Sequence, residues 1–264
     1  MSHIFDPQLK FNNTYANTFS DLASQVTPTP LADPDWVHIS EECCELLNLK
    51  KSDVASSVYL NWFAGLKQAK GSHPIAQKYT GHQFGQYNPD LGDGRGLLLG
   101  EIETANGRFD LHVKGAGQTP YSRFGDGRAV LRSSIREYLA SEALFHLGIP
   151  TSRALGVFKS SEQVQRESME TGAALIRVCP SHLRFGHFEY AFYQNDEALS
   201  QRLVTYTVEQ VLPQDAPELA SMDANSDITS KTYAMFKFII RTTAELIAKW
   251  QAFGFCHGVM NTDN

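Results

Sequence analysis

Between Gly92 and Leu147 the apolar positions change period, from a strand-like run to a helical stripe. Leu97-Leu98-Leu99-Gly100-Glu101-Ile102-Glu103 is followed by Asn106-Gly107 and then by Phe109-Asp110-Leu111-His112-Val113-Lys114. Asn-Gly between two such runs predicts a hairpin, because both residues tolerate positive φ. From about Arg128 to Leu147, residues Val130, Leu131, Ile135, Leu139, Ala143 and Leu144 recur at helical spacing and predict a helix with a buried stripe. Thr151 to Phe158 and Ala173 to Val178 read as further strands, giving a small mixed sheet with one helix packed on it. Beyond about Arg184 the pattern turns helical, over Asn195 to Gln210 and Ile228 to Phe253, the latter striped by Phe236, Ile239, Ile240, Ala244, Ile247, Ala248 and Trp250. The polar, acidic stretch Pro213 to Asp227 reads as a loop. At the other end, Pro28-Thr29-Pro30 and Pro34 punctuate an extended arm that leads into a helix through Glu41 to Leu47.

Composition narrows this picture. A chain of 264 residues, 42% of them hydrophobic, can bury a sizeable core as one large domain or two lobes. Its net charge of -6 argues against a general nucleic-acid binder. The opening Met1-Ser2-His3-Ile4-Phe5-Asp6 has no basic and apolar leader pattern, and no apolar run is long enough to span a membrane, so a cytoplasmic location is expected. Cys43, Cys44, Cys179 and Cys256 form no CxxC pair and read as structural thiols.

Candidate chemistry gathers around the predicted hairpin. In Gly92-Asp93-Gly94-Arg95-Gly96 the glycines would let backbone N–H groups approach phosphate oxygens, and Lys114 at the end of the second strand would add a point charge. Glu137, beside the stripe of the next helix, could hold that lysine as the strand lysine and helix glutamate of protein kinases do. The same residues also read as a plain turn and two surface charges. Asp126-Gly127-Arg128 at the helix entry is either an anion site or a capped helix start. Arg177 and Arg184 are either phosphate forks or surface arginines. His82, in a segment dense in glycine and aromatics, could touch a ligand or simply pack. At the far end His257 and Asn264 have the separation of a kinase catalytic loop, but the position of its base is occupied by Val259, which cannot accept a proton, while Asp263 stands beside Asn264.

Gly92-Asp93-Gly94-Arg95, Val113 to Arg123, Gly125 to Glu137 and His257 to Asn264 resemble the selenoprotein O (SelO) family of protein adenylyltransferases, and the likeness runs from Asn13-Thr14-Tyr15-Ala16 to the last residue. The resemblance implies an α+β, protein-kinase-like two-lobed fold (a pseudokinase) that binds ATP in a flipped orientation and transfers AMP to protein hydroxyls. It implies that Gly92, Gly94 and Arg95 contact the nucleotide, with Lys114 on its phosphates and Glu137 orienting Lys114. Asp126, Gly127, Arg177 and Arg184 would complete the ATP site. Asp263 would accept the proton and Asn264 would bind Mg²⁺, with Mn²⁺ as the alternative ion. The expected division is an arm over residues 1–50, an N-lobe over 51–184 and the first part of a helical C-lobe over 185–264. Members of the family are much longer and carry a further metal-binding aspartate, so an N-terminal fragment with a truncated C-terminal lobe is expected, inactive or impaired in transfer and binding ATP weakly or not at all. A kinase-like phosphotransferase and a non-catalytic ATP-binding fragment are the alternatives, the first disfavoured by Val259.

Overall fold

The structure, a computed structural model, describes residues 4–223 and 225–264. They fall into two compact units, one drawn from the chain up to Lys78 together with Asp90–His182, the other from Tyr79–Pro89 and Leu183–Asn264. The class is α+β, with one large antiparallel sheet. Its strands are Lys10–Phe11 (β1), Ala23–Gln25 (β2), Asp35–Ile39 (β3), Ile75–Gln83 (β4), Gln86–Gly92 (β5), Gly96–Thr104 (β6), Gly107–Lys114 (β7), Ala129–Val130 (β8), Arg153–Gln165 (β9) and Met169–Cys179 (β10). The main path runs β2-β4-β6-β7-β10-β9-β3, with β1 on β6, β5 on β4 and β8 on β10.

The β6–β7 hairpin forms with Leu97 opposite Val113 and Gly96 opposite Lys114. Its turn is shifted by one residue from the expected Asn106-Gly107. Ala105 and Asn106 make the bend, and Gly107 pairs with Thr104 at φ 122°, a backbone region that favours glycine.

In the first unit, residues of the expected arm are part of the sheet. Between β1 and β2 lies Thr14–Thr18 (α1), whose first N–H groups, on Thr14 and Tyr15, donate to the buried carboxylate of Glu101 at 2.6 Å each. Glu41–Leu46 (α2), Lys51–Val54 (α3) and Ser57–Phe63 (α4) cover one face of the sheet. There Cys43, Cys44, Trp62 and Phe63 join Leu97, Leu111, Val113, Ile176 and Val178 in the main core.

Leu131–His146 (α5) packs on β9 and β10, and it differs from the expected stripe. Leu139 is 61% exposed and Ala143 is also exposed, whereas Leu131 and Tyr138 pack on Ala154, Val157 and Leu175, and Ser134 and Ser141 are buried. The inward line 131, 134, 138, 141 shares Leu131 with the expected stripe but is half polar, which is why apolar periodicity alone misplaced Leu139 and Ala143.

The second unit carries Phe185–Tyr193 (α6), Glu197–Tyr206 (α7) and Ile228–Ala252 (α8). The last two begin at aspartate caps, Asp196 accepting from Leu199 N and Asp227 from Ser230 N. Its core gathers Val204, Val208, Leu212, Leu219, Ala234 and Met235. The stretch expected as a loop therefore contributes: Pro217–Leu219 is a short 3-10 turn that buries Leu219. On α8, Phe238 and Ile239 pack on the core, while Phe236 and Ile240 are exposed. Among the described residues no helix is long and apolar enough to cross a membrane.

Candidate functional site

Strand alternation sets up the polar centre of the first unit. Leu111 and Val113 of β7 point into the main core, so Asp110, His112 and Lys114 share the opposite face. Lys114 lies opposite Leu175 of β10 and His112 opposite Arg177, which puts Lys114 and Arg177 on the face that α5 covers. Glu137 of α5 meets both: one carboxylate oxygen accepts from Lys114 Nζ, and the other accepts from Arg177 Nε at 2.6 Å. All three side chains are largely buried. Burial alone would raise the Glu137 carboxyl, but Arg177 and then Lys114 overcome it and hold it down to about 2. Burial, followed by the Arg177 charge, draws the Lys114 ammonium below its ordinary value, with Glu137 opposing. A cationic pair clamped on one carboxylate is suited to polyanion binding, since both cations keep donors beyond those Glu137 uses.

The glycine-rich segment joins β5 to β6, and Gly92 and Gly94 are required by close packing on the chain at 119–122. A Cβ on Gly92 would stand 2.3 Å from Tyr121 Cγ, and one on Gly94 2.8 Å from the Tyr121 carbonyl oxygen. Thr119 Oγ1 donates to the Asp93 carbonyl at 2.7 Å and Ser122 Oγ to that of Gly94 at 2.5 Å. The loop is thus held by its carbonyls, and the Arg95 side chain is exposed. Asp126 and Gly127 form a separate turn. The Asp126 carboxylate accepts from both terminal nitrogens of Arg166, at 2.7 and 3.0 Å, and from Arg128 N at 2.9 Å. The Arg166 hydrogen bonds are the main reason its carboxyl lies below the ordinary aspartate value. Gly127 has φ 69°, and a Cβ there would be 2.0 Å from the Gly117 carbonyl oxygen.

Sequence reasoning missed a buried chain that starts under the glycine loop. Asp93 Oδ2 accepts from Gln77 N at 3.1 Å and lies 3.7 Å from His112 Nε2. The His112 ring stacks on that of His182 at 4.4 Å, and His182 N donates to Asp110 Oδ2 at 2.6 Å. Burial and the neighbouring His182 push His112 down to about 4, against the pull of Asp93. Burial would lower His182 as well, but the Cys179 sulfur and the Asp110 carboxylate beside it push it up to about 9. The signal in the sequence is Asp110-x-His112-x-Lys114, polar residues at strand period beneath an otherwise apolar run.

In the second unit, Arg184 Nη1 donates to the backbone carbonyl of Asp263 at 2.9 Å. The Asp263 carboxylate has one oxygen, Oδ2, bonded to Gln83 Nε2 at 2.7 Å, while Oδ1 is buried with no hydrogen-bond partner among the described residues. Asn264 donates its side-chain amide to the Val259 carbonyl at 2.9 Å. Val259 itself is exposed. His82 Nδ1 lies 3.0 Å from Glu189 Oε1, so the ring packs beside α6 through that nitrogen.

The sequence profile of a family described as Protein adenylyltransferase SelO matches residues 7–264. A protein nucleotidyltransferase YdiU from Photobacterium profundum is 50% identical over 97% of this chain and 51% of its own length. Those from Pseudomonas entomophila and a strain of Pseudomonas putida are 54% and 53% identical over the same shares. The chain spans about half the length of these curated relatives. A profile match over nearly every residue, with the paired Lys114 and Glu137 and the Asp263-Asn264 end lying inside it, leads to one conclusion: the chain belongs to the SelO family.

Proposed function

We propose that this chain carries the nucleotide-binding and proton-accepting residues of a protein adenylyltransferase, which moves AMP from ATP to Ser, Thr or Tyr hydroxyls of cytoplasmic proteins. The fold proposed is protein-kinase-like, with the sheet-bearing unit as N-lobe and the helical unit as the start of the C-lobe. In this reading Lys114 and Arg177, clamped on Glu137, bind phosphate oxygens. Gly92, Gly94 and Arg95 line the nucleotide, Asp126 and Gly127 shape the turn beside it, and Arg184 adds a further guanidinium. The hydroxyl oxygen of the target attacks the α-phosphorus, the bond from that phosphorus to the bridging oxygen breaks, and pyrophosphate leaves with the electron pair. The hydroxyl proton passes to Asp263 Oδ1.

One observation carries this reading. Asp263 Oδ1 is a buried carboxylate oxygen with no hydrogen-bond partner among the described residues, whereas Val259, at the position of a kinase base, offers no acceptor. The side-chain amide oxygen of Asn264 suits a hard cation such as Mg²⁺, which keeps several waters and seldom needs a full protein cage. When bound, such an ion would neutralise charge gathering on the leaving pyrophosphate. The two labels of ATP supply the test. Transfer from α-labelled but not γ-labelled ATP to protein, lost in Asp263→Asn, supports adenylyl transfer. Transfer of γ-label would replace it with phosphotransfer.

A further inference from the structure

The segment Thr262-Asp263 is gripped within the second unit from two sides. From α6, Gly186 N donates to the Thr262 carbonyl at 2.7 Å, and the guanidinium of Arg184 just before it donates to that of Asp263. From the β4–β5 hairpin, His82 N donates to Thr262 Oγ1 at 2.8 Å, and Thr262 Oγ1 in turn donates to Glu189 Oε2 at 2.9 Å. The contact is close. A Cβ on Gly81 would lie 3.0 Å from Asp263 Cβ. All of these bonds fix the backbone at 262 and 263 or the Thr262 side chain. Among the described residues a single one, from Gln83 Nε2 at 2.7 Å, reaches the Asp263 carboxylate itself.

A carboxylate on a fixed backbone still turns about its own bond to Cβ, and either oxygen can then face the reactant. One charge-assisted bond to one oxygen removes that freedom and decides which oxygen is left. We infer that Gln83 is the positioning residue of Asp263: its amide pins Oδ2 and leaves Oδ1 as the oxygen still without a partner among the described residues, the one to take the proton. The inference rests on Asp263 being the proton acceptor. It divides the hairpin into two tasks, with Gly81 and His82 seating the backbone of the catalytic segment and Gln83 orienting its carboxylate. Gln83 touches no reacting atom and acts through Asp263 alone.

The test uses AMP transfer by this chain extended to the length of its relatives, comparing Gln83→Met, Gln83→Glu, Asp263→Asn and the double variant Gln83→Met/Asp263→Asn. Gln83→Met keeps the length of the side chain and removes its donor; kcat is expected to fall by about 10- to 100-fold with KM for ATP within about twofold, as for a misplaced catalytic group. Gln83→Glu, nearly isosteric at a half-buried position, is expected to lose at least as much because it sets a second carboxylate against Oδ2. In the Asp263→Asn background, Gln83→Met should cost nothing further. Wild-type kcat in either Gln83 variant, or an equal fractional loss with and without Asp263, overturns the inference while leaving the role of Asp263 intact. Full transfer by Asp263→Asn overturns that role, and the inference with it.

Discussion

Arg177 Nε lies 2.6 Å from Glu137 Oε1, so the carboxylate that takes Lys114 on its other oxygen is shared between two cations. With its folded value near 2 against 4.5 in the free side chain, Glu137 contributes stability that is present above about pH 4.5 and is lost as pH falls towards 2. For a largely buried group the contribution is on the order of 2–3 kcal/mol. Urea unfolding followed from pH 7 down to pH 3 should show it, and Glu137→Gln should flatten that dependence.

At neutral pH, Glu137→Gln leaves Lys114 and Arg177 facing each other without a shared anion. A loss of about 1–3 kcal/mol is expected in the same unfolding experiment, below the full value for a buried pair because the site is partly solvated. If the triad binds phosphates, ATP affinity measured by calorimetry falls as well. Unchanged stability and unchanged affinity together would remove the triad from both roles.

The stacked histidines should hold opposite protonation states. His182, raised to about 9, stays charged at neutral pH; its contribution to stability is complete below 6.5 and is lost as pH rises through 9. His112, depressed to about 4, is neutral there; its contribution is present above 6.5 and is lost as pH falls through 4. Ring nitrogen shifts recorded by NMR across pH 4 to 9 would separate the two. Both rings titrating together near 6.5 would contradict the arrangement.

Gly127→Ala adds a methyl group 2.0 Å from the Gly117 carbonyl oxygen at a backbone φ of 69°. The expected cost is at least about 2 kcal/mol, from left-handed strain and the clash together. A chemical denaturation midpoint within error of the parent protein would show that the turn at 117–127 gives way easily.

Thiol labelling should follow burial. Burial pushes the thiols of Cys43 and Cys44 upward, Cys44 to about 11, whereas Cys256 is exposed. Iodoacetamide at pH 8 should modify Cys256 first and reach Cys43 and Cys44 only after denaturation, as peptide mass mapping would register. Rapid modification of Cys43 in the folded chain would mean that α2 opens readily.

The hairpin and the long helices were legible because strand and helix periods leave marks on the chain. Lys114 and Glu137 could be paired on paper, one at a strand end and the other on the following helix. The buried side of α5 could not, because Ser134 and Ser141 occupy it and a search for apolar residues passes over them. Arg166 reaches Asp126 from the turn between β9 and β10, and that contact depends on a pairing register set by more than thirty intervening residues. Gln83 and Asp263 are 180 residues apart, and no local pattern connects them.

The alternation in β7 has a further consequence for how the sheet finds its partners. Sliding β7 by a single residue against β6 would turn Asp110, His112 and Lys114 into the space of Leu111 and Val113, setting charges among Cys43, Trp62 and Phe63 and sending two aliphatic side chains towards Glu137. The ionic centre thus also sets the register: a misaligned pairing carries the cost of dehydrating its charges among apolar side chains.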